Sequence, residues 1–240
     1  MKQVISSSFG KDSMASILLA HIHRIPIDEV IFVNVMFDKE TSAEPPEHID
    51  FVYNKAIPFC ESIGMPVKVL TPSTTFCDFF VKERTQRSKY FGKIYGFPLA
   101  LRCEINGLCK RKVINEYKSQ NPNVQMYVGI AVDEVQRLKN LQERGGESLL
   151  AKFEYTEQMA KDLCEKYNML SPVYNFVKRE GCWFCPAQNK KQMVDCFKRH
   201  SDLWDKFKQL YETNKSRLIR TKINWNIDME NLINEIERDI

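Results

Sequence analysis

The spacing of apolar residues in the first 70 positions predicts strands that alternate with helices. A short strand over residues 2–6 precedes a helical pattern over 12–24. Residues 30–37 form a nearly continuous apolar run, typical of a strand buried on both faces of a parallel sheet. A helix over 45–63 and a strand over 67–70 complete the alternation. This order predicts an α/β fold with a doubly wound, mainly parallel sheet.

The remainder of the chain is less regular and mostly helical. One further buried strand is predicted over residues 125–131. Helices are predicted over 74–84, 109–119, 157–167, 188–198, 202–213 and 228–240. These patterns indicate an α/β core over residues 1–175, followed by a Cys-bearing loop and a helical C-terminal portion over 176–240.

Composition restricts the class of protein. The 240 residues are 43% hydrophobic and 28% charged, which is ordinary for a globular protein. No apolar run approaches the ~18 residues needed to span a bilayer, so no membrane segment is expected. The net charge of +4 is too small to indicate nucleic-acid binding by itself. Eight cysteines without a secretion signal predict a cytoplasmic protein that uses thiols for metal ligation rather than for disulfides.

A serine-rich loop between the first strand and the first helix is the first candidate site. Its residues are Ser6, Ser7, Ser8, Phe9, Gly10, Lys11, Asp12 and Ser13. Small residues before a helix N-terminus let backbone N–H groups surround an anion. The Ser8 and Ser13 hydroxyls donate, Lys11 supplies a charge, and Asp12 caps the helix or helps to hold Mg²⁺. The spacing matches neither a Walker loop nor G-x-G-x-x-G. The simpler alternative is a serine turn before a capped helix.

The segment S-F-G-K-D-S resembles the loop of the PP-loop ATP pyrophosphatases, in the branch that contains the phosphoadenosine phosphosulfate (PAPS) reductases and their relatives. This resemblance implies an adenine nucleotide alpha-hydrolase-like fold. It also implies that the loop binds ATP with Mg²⁺, that Lys11, Asp12 and Ser13 act in catalysis, and that pyrophosphate release leaves an adenylated intermediate. In the sulfonucleotide reductases of that branch, the same loop holds a nucleotide substrate.

Two further stretches are similar to that branch. Asp38 follows the second predicted strand, where the branch carries an acidic residue, and Glu44 precedes the next helix. The resemblance implies that Asp38 binds the nucleotide. Residues 129–137, GIAVDEVQR, resemble the family element G-I-x-x-[DE]-[ES]-x-x-R. Gly129 permits close approach of a nucleotide, and Arg137 lies one helical turn after Asp133, so both are expected to face one site. The resemblance implies that Gly129 and Asp133 bind the nucleotide and that Arg137 acts in catalysis. The alternatives are helix capping for Glu44 and a surface ion pair for Asp133 with Arg137.

Four cysteines in two pairs form the second candidate site. Cys103 and Cys109 are spaced C-x₅-C, and Cys182 and Cys185 are spaced C-x₂-C, which lets two thiolates bind one metal from a single turn. Together they fit a Cys₄ site, and a redox-active Cys182–Cys185 dithiol is the rival hypothesis. The other cysteines are interpreted as small buried apolar residues: Cys60, Cys77, Cys164 and Cys196.

The cysteine segments are also similar to the PAPS reductase-like branch. C-K-R-K at residues 109–112 matches the first four positions of its C-x-x-[LK]-K pattern, and R-E-G-C-W-F-C-P at 179–186 matches its R-x-G-C-x-x-C-P pattern. The resemblance implies a four-iron–four-sulfur cluster, with zinc as the alternative, and a catalytic position for Lys112.

The resemblance covers about residues 4–190 and departs at the C-terminus, where the family's reductases carry a reactive cysteine and this sequence reads NLINEIERDI. We therefore predict an ATP-using, sulfurtransferase-like enzyme that adenylates an acceptor for sulfur or nitrogen transfer. The expected partners are ATP, an acceptor for which nucleic acid is one candidate, and a sulfur-donor protein. The alternatives are a sulfonucleotide reductase and a non-catalytic, zinc-stabilised subunit that binds nucleotide or nucleic acid.

The C-terminal portion is rich in basic residues, interleaved with Trp204, Phe207, Tyr211 and Trp225. The basic residues are Lys190, Lys191, Lys198, Arg199, Lys206, Lys208, Lys215, Arg217, Arg220 and Lys222. Such a face is compatible with RNA or single-stranded DNA binding. An amphipathic helix with its lysines in water is the favoured interpretation. The four histidines, His21, His23, His48 and His200, show no metal-binding spacing.

Overall fold

The computed structural model describes residues 1–100 and 103–238. Its strands are β1 (Lys2–Ser7), β2 (Glu29–Val33), β3 (Val67–Leu70), β4 (Ile94–Gly96), β5 (Val124–Val128), β6 (Leu218–Arg220), β7 (Lys222–Asn224) and β8 (Ile227–Asp228). Its helices are α1 (Lys11–Ile22), α2 (Pro46–Phe51), α3 (Ile57–Ser62), α4 (Phe76–Phe80), α5 (Lys112–Gln120), α6 (Val135–Gln142), α7 (Leu149–Lys152), α8 (Glu157–Lys166), α9 (Lys190–Arg199), α10 (Ser201–Asn214) and α11 (Met229–Glu237).

The described residues form two compact units. The first unit comprises Met1–Asn34, Pro45–Thr71 and Val113–Glu180. The second comprises Val35–Glu44, Pro72–Lys112 and Gly181–Ile240. The second unit thus combines two earlier segments of the chain with the segment that begins at Gly181.

A parallel sheet in the order β3-β2-β1-β5 organises the first unit. The chain runs outward from β1 through β2 to β3, and β5 then joins the other side of β1. This arrangement confirms the predicted α/β fold with a mainly parallel sheet. The carboxyl end of β1 therefore lies where the strand order reverses, which is the usual ligand-binding position in open α/β sheets.

Helix α1 is buried along most of its length. Every residue from Ser13 to Ala20 is buried, because α1 packs against β1, α7 and α8. The sequence predicts one buried face, whereas the helix is enclosed on several sides. The serine-rich loop that precedes α1 is consequently joined to a rigid element.

The predicted helix over residues 45–63 is confirmed, with a local change of pitch. A π-helical segment, Val52–Ala56, separates α2 from α3. Pro58 lacks the N–H that an α-helix would offer to the carbonyl of Asn54. The wider π turn pairs residues five apart and accommodates that loss.

An aromatic core fills the second unit. Its fully or nearly fully buried rings include Phe37, Phe76, Phe80, Phe97, Trp183, Phe184, Phe197 and Phe207. Strands β4 and β6 pair in parallel, and β7 and β8 pair antiparallel. No helix in the described part of the chain has both the length and the apolar character that crossing a bilayer requires.

Three predicted elements are corrected by the structure. The strand expected over residues 30–37 ends at Val33, because Val35 and Phe37 are buried in the second unit without extending the sheet. The helix expected over 74–84 is limited to Phe76–Phe80, where a Thr75–Asp78 capping box fixes its start. The C-terminal portion, expected to be helical, also contains β6, β7 and β8.

The other predicted helices are present with shifted ends. A π-helical segment, Asn106–Arg111, precedes α5, so that helix starts before Cys109. The last predicted helix, 228–240, corresponds to α11 with Asp228 as its N-cap, and Asp239 and Ile240 lie outside the described residues.

Candidate functional site

The loop Ser8–Gly10 connects the carboxyl end of β1 to the first turn of α1. Phe9 has a φ of 59°, in the left-handed region that costs a non-glycine residue about 1 kcal/mol or more. Its ring is fully buried and packs against Phe32 with a centroid distance of 5.6 Å. The buried ring holds the strained backbone in place, so the loop has a defined shape.

Four successive backbone amides of the loop donate hydrogen bonds to side-chain hydroxyl oxygens. Ser8 N–H donates to Ser13 Oγ at 3.2 Å, and Phe9 N–H donates to Ser7 Oγ at 2.9 Å. Gly10 N–H donates to Ser8 Oγ at 3.4 Å, and Lys11 N–H donates to the Tyr174 hydroxyl at 2.9 Å. Hydroxyl groups can rotate away from these amides, whereas carbonyls of a regular helix or sheet cannot. The loop therefore presents a row of exchangeable donors.

The carboxylate of Glu180 lies against this loop. Ser8 Oγ donates to Glu180 Oε2 at 3.4 Å. A Cβ added to Gly10 would lie 1.8 Å from the same oxygen and 2.9 Å from the Tyr174 hydroxyl. Only glycine at position 10 permits this approach. An almost fully buried anion thus lies beside the helix N-terminus, where the helix dipole favours negative charge.

His48 links the carboxylate to the loop backbone. Its Nε2 lies 2.9 Å from the Ser8 carbonyl oxygen and 3.0 Å from Glu180 Oε1. Both partners are acceptors, so Nε2 carries the proton, and Nδ1 interacts with Ser171 Oγ at 2.8 Å. Sequence patterns did not point to His48, Tyr174 or Glu180, because each of these residues is far from the loop along the chain.

A charged cluster lies on the other side of the first turn of α1. Lys11 Nζ contacts Asp12 Oδ1 and Glu157 Oε1, each at 2.8 Å. Burial lowers the pKa of Lys11, but the hydrogen bonds that its ammonium group donates to both carboxylates outweigh this effect and raise the pKa overall. Burial raises the pKa of Asp12. Carboxylate oxygens of Asp12, Glu134 and Glu157 all lie within 4.8 Å of one another. Such a set of oxygen donors fits Mg²⁺.

Gly129 contacts the loop-bearing helix directly. A Cβ at this position would lie 2.6 Å from Ser13 N and 2.7 Å from Asp12 C. Asp133 accepts from the N–H of Glu157 at 3.1 Å, which satisfies an amide in the first turn of α8. Arg137 instead forms an ion pair with Glu134. The structure thus brings Gly129 to the loop and gives Asp133 and Arg137 separate partners.

The remaining predicted nucleotide-site residues are placed as follows. Ser6 and Ser7 are the last residues of β1, and Ser7 is buried. Asp38 belongs to the second unit, where it accepts from the amides of Glu40 at 2.9 Å and Thr41 at 2.6 Å. Burial acts to raise the pKa of Asp38, but these hydrogen bonds lower it overall. Lys112 is exposed at the start of α5.

The four cysteines of the predicted metal site all belong to the second unit. Cys109 lies in the π-helical segment before α5 and donates its Sγ–H to the Thr74 carbonyl at 3.1 Å. A tight turn joins the other pair, with Cys185 N–H donating to the Cys182 carbonyl at 2.9 Å. The Sγ of Cys185 lies 3.6 Å from where a Cβ on Gly181 would be, so the turn is compact.

The two cysteine pairs interact electrostatically, because the charge on one pair affects the pKa of a thiol in the other. Burial, with a smaller contribution from Cys103, raises the pKa of the Cys109 thiol to about 11. Burial also raises the pKa of Cys182, with contributions from Glu44, Cys185 and Cys103, while Lys110 lowers it. Among the described residues, no three cysteine sulfurs lie within 4.8 Å of one another. Four thiolates on one zinc ion would lie about 3.8 Å apart, given Zn–S bonds of about 2.3 Å.

Trp183 anchors the Cys182–Cys185 turn in the aromatic core of the second unit. Its ring lies 4.7 Å from Phe37 and 5.9 Å from Phe197, measured between centroids. Its Nε1–H donates to the Ser42 carbonyl, and its backbone N–H donates to the Ala43 carbonyl, both at 2.9 Å. The tryptophan between the two cysteines is therefore a structural anchor.

The other four cysteines fit their predicted role as small apolar residues only in part. Cys60, Cys164 and Cys196 are buried, whereas Cys77 is half-buried. Burial raises the pKa of Cys60, Cys77 and Cys164 to about 12, which makes these thiols poor nucleophiles. Cys164 also donates to the Lys11 carbonyl at 3.2 Å, so it helps to hold α1.

The parallel sheet, its strand order and its surrounding helices form an α/β fold that is shared with a solved structure. Among solved structures, the phosphate complex of phosphoadenylyl-sulfate (PAPS) reductase from Candida auris matches with a TM-score of 0.50 and 11% sequence identity. The match covers 76% of this chain and 82% of that chain. At this identity, the likeness establishes the shared fold. No protein-family model and no curated protein matches the sequence.

Proposed function

We propose that the Ser8–Ser13 loop binds the phosphates of ATP and that the protein adenylates an acceptor for sulfur or nitrogen transfer. The Glu180 carboxylate carries this proposal, because it is an anion already lying against Ser8 and Gly10 at the N-terminus of α1. An anion in this position marks where a phosphate group would lie. The solved structure with the same fold is described as a phosphate complex, which agrees with this assignment.

The loop amides support phosphate binding. The amides of Ser8, Phe9, Gly10 and Lys11 donate to side-chain hydroxyl groups. Phosphate oxygens replace such acceptors without disturbing the helix or the sheet. Removal of Glu180 from the loop would leave the Ser8 hydroxyl as an additional donor. The site thereby offers a phosphate both backbone and side-chain hydrogen bonds.

The charged cluster would assist departure of pyrophosphate. An acceptor oxygen would attack the α-phosphorus, the bond to the β-phosphate would break, and a sulfur or nitrogen nucleophile would then displace AMP. The raised pKa of Lys11 keeps its ammonium group protonated beside the loop. Asp12, Glu134 and Glu157 would hold Mg²⁺. Bound there, Mg²⁺ would neutralise charge on the phosphates. The contribution of the chain is mainly electrostatic.

We assign the four cysteines of the second unit to an iron–sulfur cluster. All four belong to the second unit, and the charges of Cys185 and Cys103 both act on Cys182, which supports one shared centre. A four-iron cluster binds each of four thiolates through a different iron. Lys110 offsets part of the thiolate charge at Cys182. Such a cluster would supply sulfur-binding or electron-transfer chemistry. Eight cysteines, all of them thiols, support a reducing, cytoplasmic location.

Product analysis tests the proposed reaction. Anaerobically purified protein is incubated with α-³²P-labelled ATP, Mg²⁺, sodium sulfide, and either bulk tRNA or single-stranded DNA. The expected products are AMP and pyrophosphate, formed only when an acceptor is present. ADP and phosphate as products would contradict the proposal. Sulfite release from PAPS and thioredoxin, without ATP cleavage, would identify a sulfonucleotide reductase instead.

Glu180→Gln is expected to tighten ATP binding by roughly 10-fold, or about 1.4 kcal/mol. The amide keeps the shape of the side chain and removes the negative charge that competes with phosphate. Isothermal titration calorimetry with ATP and Mg²⁺ measures the change. The exposed Glu61 of the first unit provides a matched control, and Glu61→Gln should leave the affinity unchanged. A 10-fold loss in Glu180→Gln would instead identify the carboxylate as a ligand of the bound nucleotide or its cation.

Metal analysis tests the cysteine assignment. We expect the anaerobically purified protein to contain iron and acid-labile sulfide at about four of each per chain. Cys182→Ala should lose both, whereas Cys60→Ala, in the first unit, should retain them. Stoichiometric zinc without sulfide would contradict the cluster assignment and make the site structural.

A further inference from the structure

A hydrogen-bonded hairpin over residues 82–95, here called the basic hairpin, is a distinct feature of the second unit. Arg84 N–H donates to the Lys93 carbonyl at 2.8 Å, and Tyr95 N–H donates to the Lys82 carbonyl at 3.0 Å. Gly92 has a φ of 75° at the turn and donates to the Arg84 carbonyl at 3.1 Å. These bonds give the segment a fixed shape, which the sequence did not predict.

The basic hairpin carries cations that no acidic side chain in the described part of the chain neutralises. Lys82, Arg87, Lys89 and Lys93 are all exposed, and none of them forms an ion pair with any described residue. The acidic residue of the segment, Glu83, forms an ion pair with Arg217, with 3.0 Å between its carboxylate and the guanidinium group. The hairpin thus concentrates positive charge without internal compensation.

The C-terminal basic residues differ in this respect. Six of them form ion pairs within the second unit: Lys190 with Glu235, Lys206 with Asp38, Lys208 with Glu237, Lys215 with Glu212, Arg217 with Glu83, and Arg220 with Glu104. Their charge is largely compensated, which supports the interpretation of that region as solvated helix surface. By contrast, Lys82, Arg87, Lys89 and Lys93 lie close together in one hairpin and form no ion pair with a described residue.

Two aromatic rings are exposed among these cations. Phe91 is 64% exposed and Tyr90 is 36% exposed, and Lys89 Nζ lies 5.0 Å from the centre of the Tyr90 ring. Large apolar rings exposed on a hydrogen-bonded hairpin are available to stack on a ligand. Recognition of single-stranded nucleic acid combines two components: cations that contact the phosphates and aromatic rings on which the bases stack.

We propose that the basic hairpin binds single-stranded nucleic acid, with Lys82, Arg87, Lys89 and Lys93 at the phosphates and Tyr90 and Phe91 stacked on bases. A duplex keeps its bases stacked internally and would use only the cations. An acidic protein would contact the cations without stacking on the rings. An anionic membrane would bury the Phe91 ring without stacking, and the vesicle measurement below separates it from a single strand. The combination of rings and cations therefore favours unpaired bases over these other anionic partners.

Fluorescence anisotropy with labelled dT₂₀ and U₂₀ tests this proposal. Four phosphate contacts predict that log K falls with log salt at a slope of about −2.8. Tyr90→Ala and Phe91→Ala should each weaken binding by roughly 5- to 150-fold and leave the slope unchanged. Arg87→Ala with Lys89→Ala should reduce the slope by about 1.4. Phe91→Tyr should retain binding because the ring remains.

The first unit contains a matched control. Lys166 Nζ lies 6.0 Å from the centre of the Tyr167 ring, which is 40% exposed. Lys166→Ala and Tyr167→Ala should leave oligonucleotide binding unchanged. Equal losses in both sets of variants would overturn the proposal. So would tighter binding to a 20-base-pair duplex or to vesicles containing phosphatidylserine. Ser13→Ala should keep oligonucleotide binding, since the surface does not depend on the proposed nucleotide chemistry.

Discussion

Trp183→Ala is expected to lower the free energy of unfolding of the second unit by about 3–5 kcal/mol. Trp183 is among the largest fully buried side chains of the protein, and its ring contacts Phe37, Phe184 and Phe197. Alanine would leave a cavity at the centre of the aromatic core. It would also leave the Ser42 carbonyl without its indole donor. Urea unfolding followed by far-UV circular dichroism measures the loss.

A second tryptophan of the same unit provides the control. Trp225 is 83% exposed, so Trp225→Ala should change the free energy of unfolding by less than about 0.5 kcal/mol. The loss of unfolding free energy in Trp183→Phe should lie between the losses in the two alanine variants, because phenylalanine keeps an aromatic ring and loses the hydrogen bond. If Trp183→Ala unfolded at the wild-type urea concentration, the Cys182–Cys185 turn would not depend on this anchor.

Local patterns predicted the first unit well. The alternation of strand and helix, and the serine-rich loop between β1 and α1, depend on residues close in sequence. The apolar run over residues 30–37 was misleading because burial does not require strand pairing. Val33 ends the strand, yet Phe37 is buried in the aromatic core of the second unit.

Long-range contacts explain what the sequence did not predict. Glu180 is 172 residues from Ser8 along the chain, and His48 is 40 residues from it. No spacing rule connects positions so far apart, so neither residue was selected. The glycine at position 10 gave an indirect signal, since the absence of a Cβ permits the carboxylate to approach.

The same limitation applies to the basic residues, because their ion-pair partners cannot be read from the sequence. The sequence identified the C-terminal basic residues because they are numerous, but most of them are paired with acidic residues. The basic hairpin has fewer cations and lies in a segment whose apolar pattern is weak. Its significance depends on the partners of each side chain, which are set by tertiary structure.

Gly129→Ala is expected to weaken ATP binding by roughly 10- to 100-fold, if the loop binds ATP as proposed. The new Cβ would lie 2.6 Å from Ser13 N and 2.7 Å from Ser13 Cα. Backbone atoms cannot rotate out of the way, so the first turn of α1 must move relative to β5. Overpacking of this kind costs about 1–3 kcal/mol, and the displaced loop would present its amides in the wrong positions.

Gly107→Ala is the matched control, because its Cβ would meet only the flexible end of Arg111 at 3.3 Å. It should bind ATP with the wild-type affinity. Thermal unfolding of both variants separates a displaced loop from a general loss of structure. A folded Gly129→Ala protein with weakened ATP binding would show that contact between β5 and α1 positions the loop. Unchanged affinity and unchanged stability would show that the loop keeps its geometry without this contact.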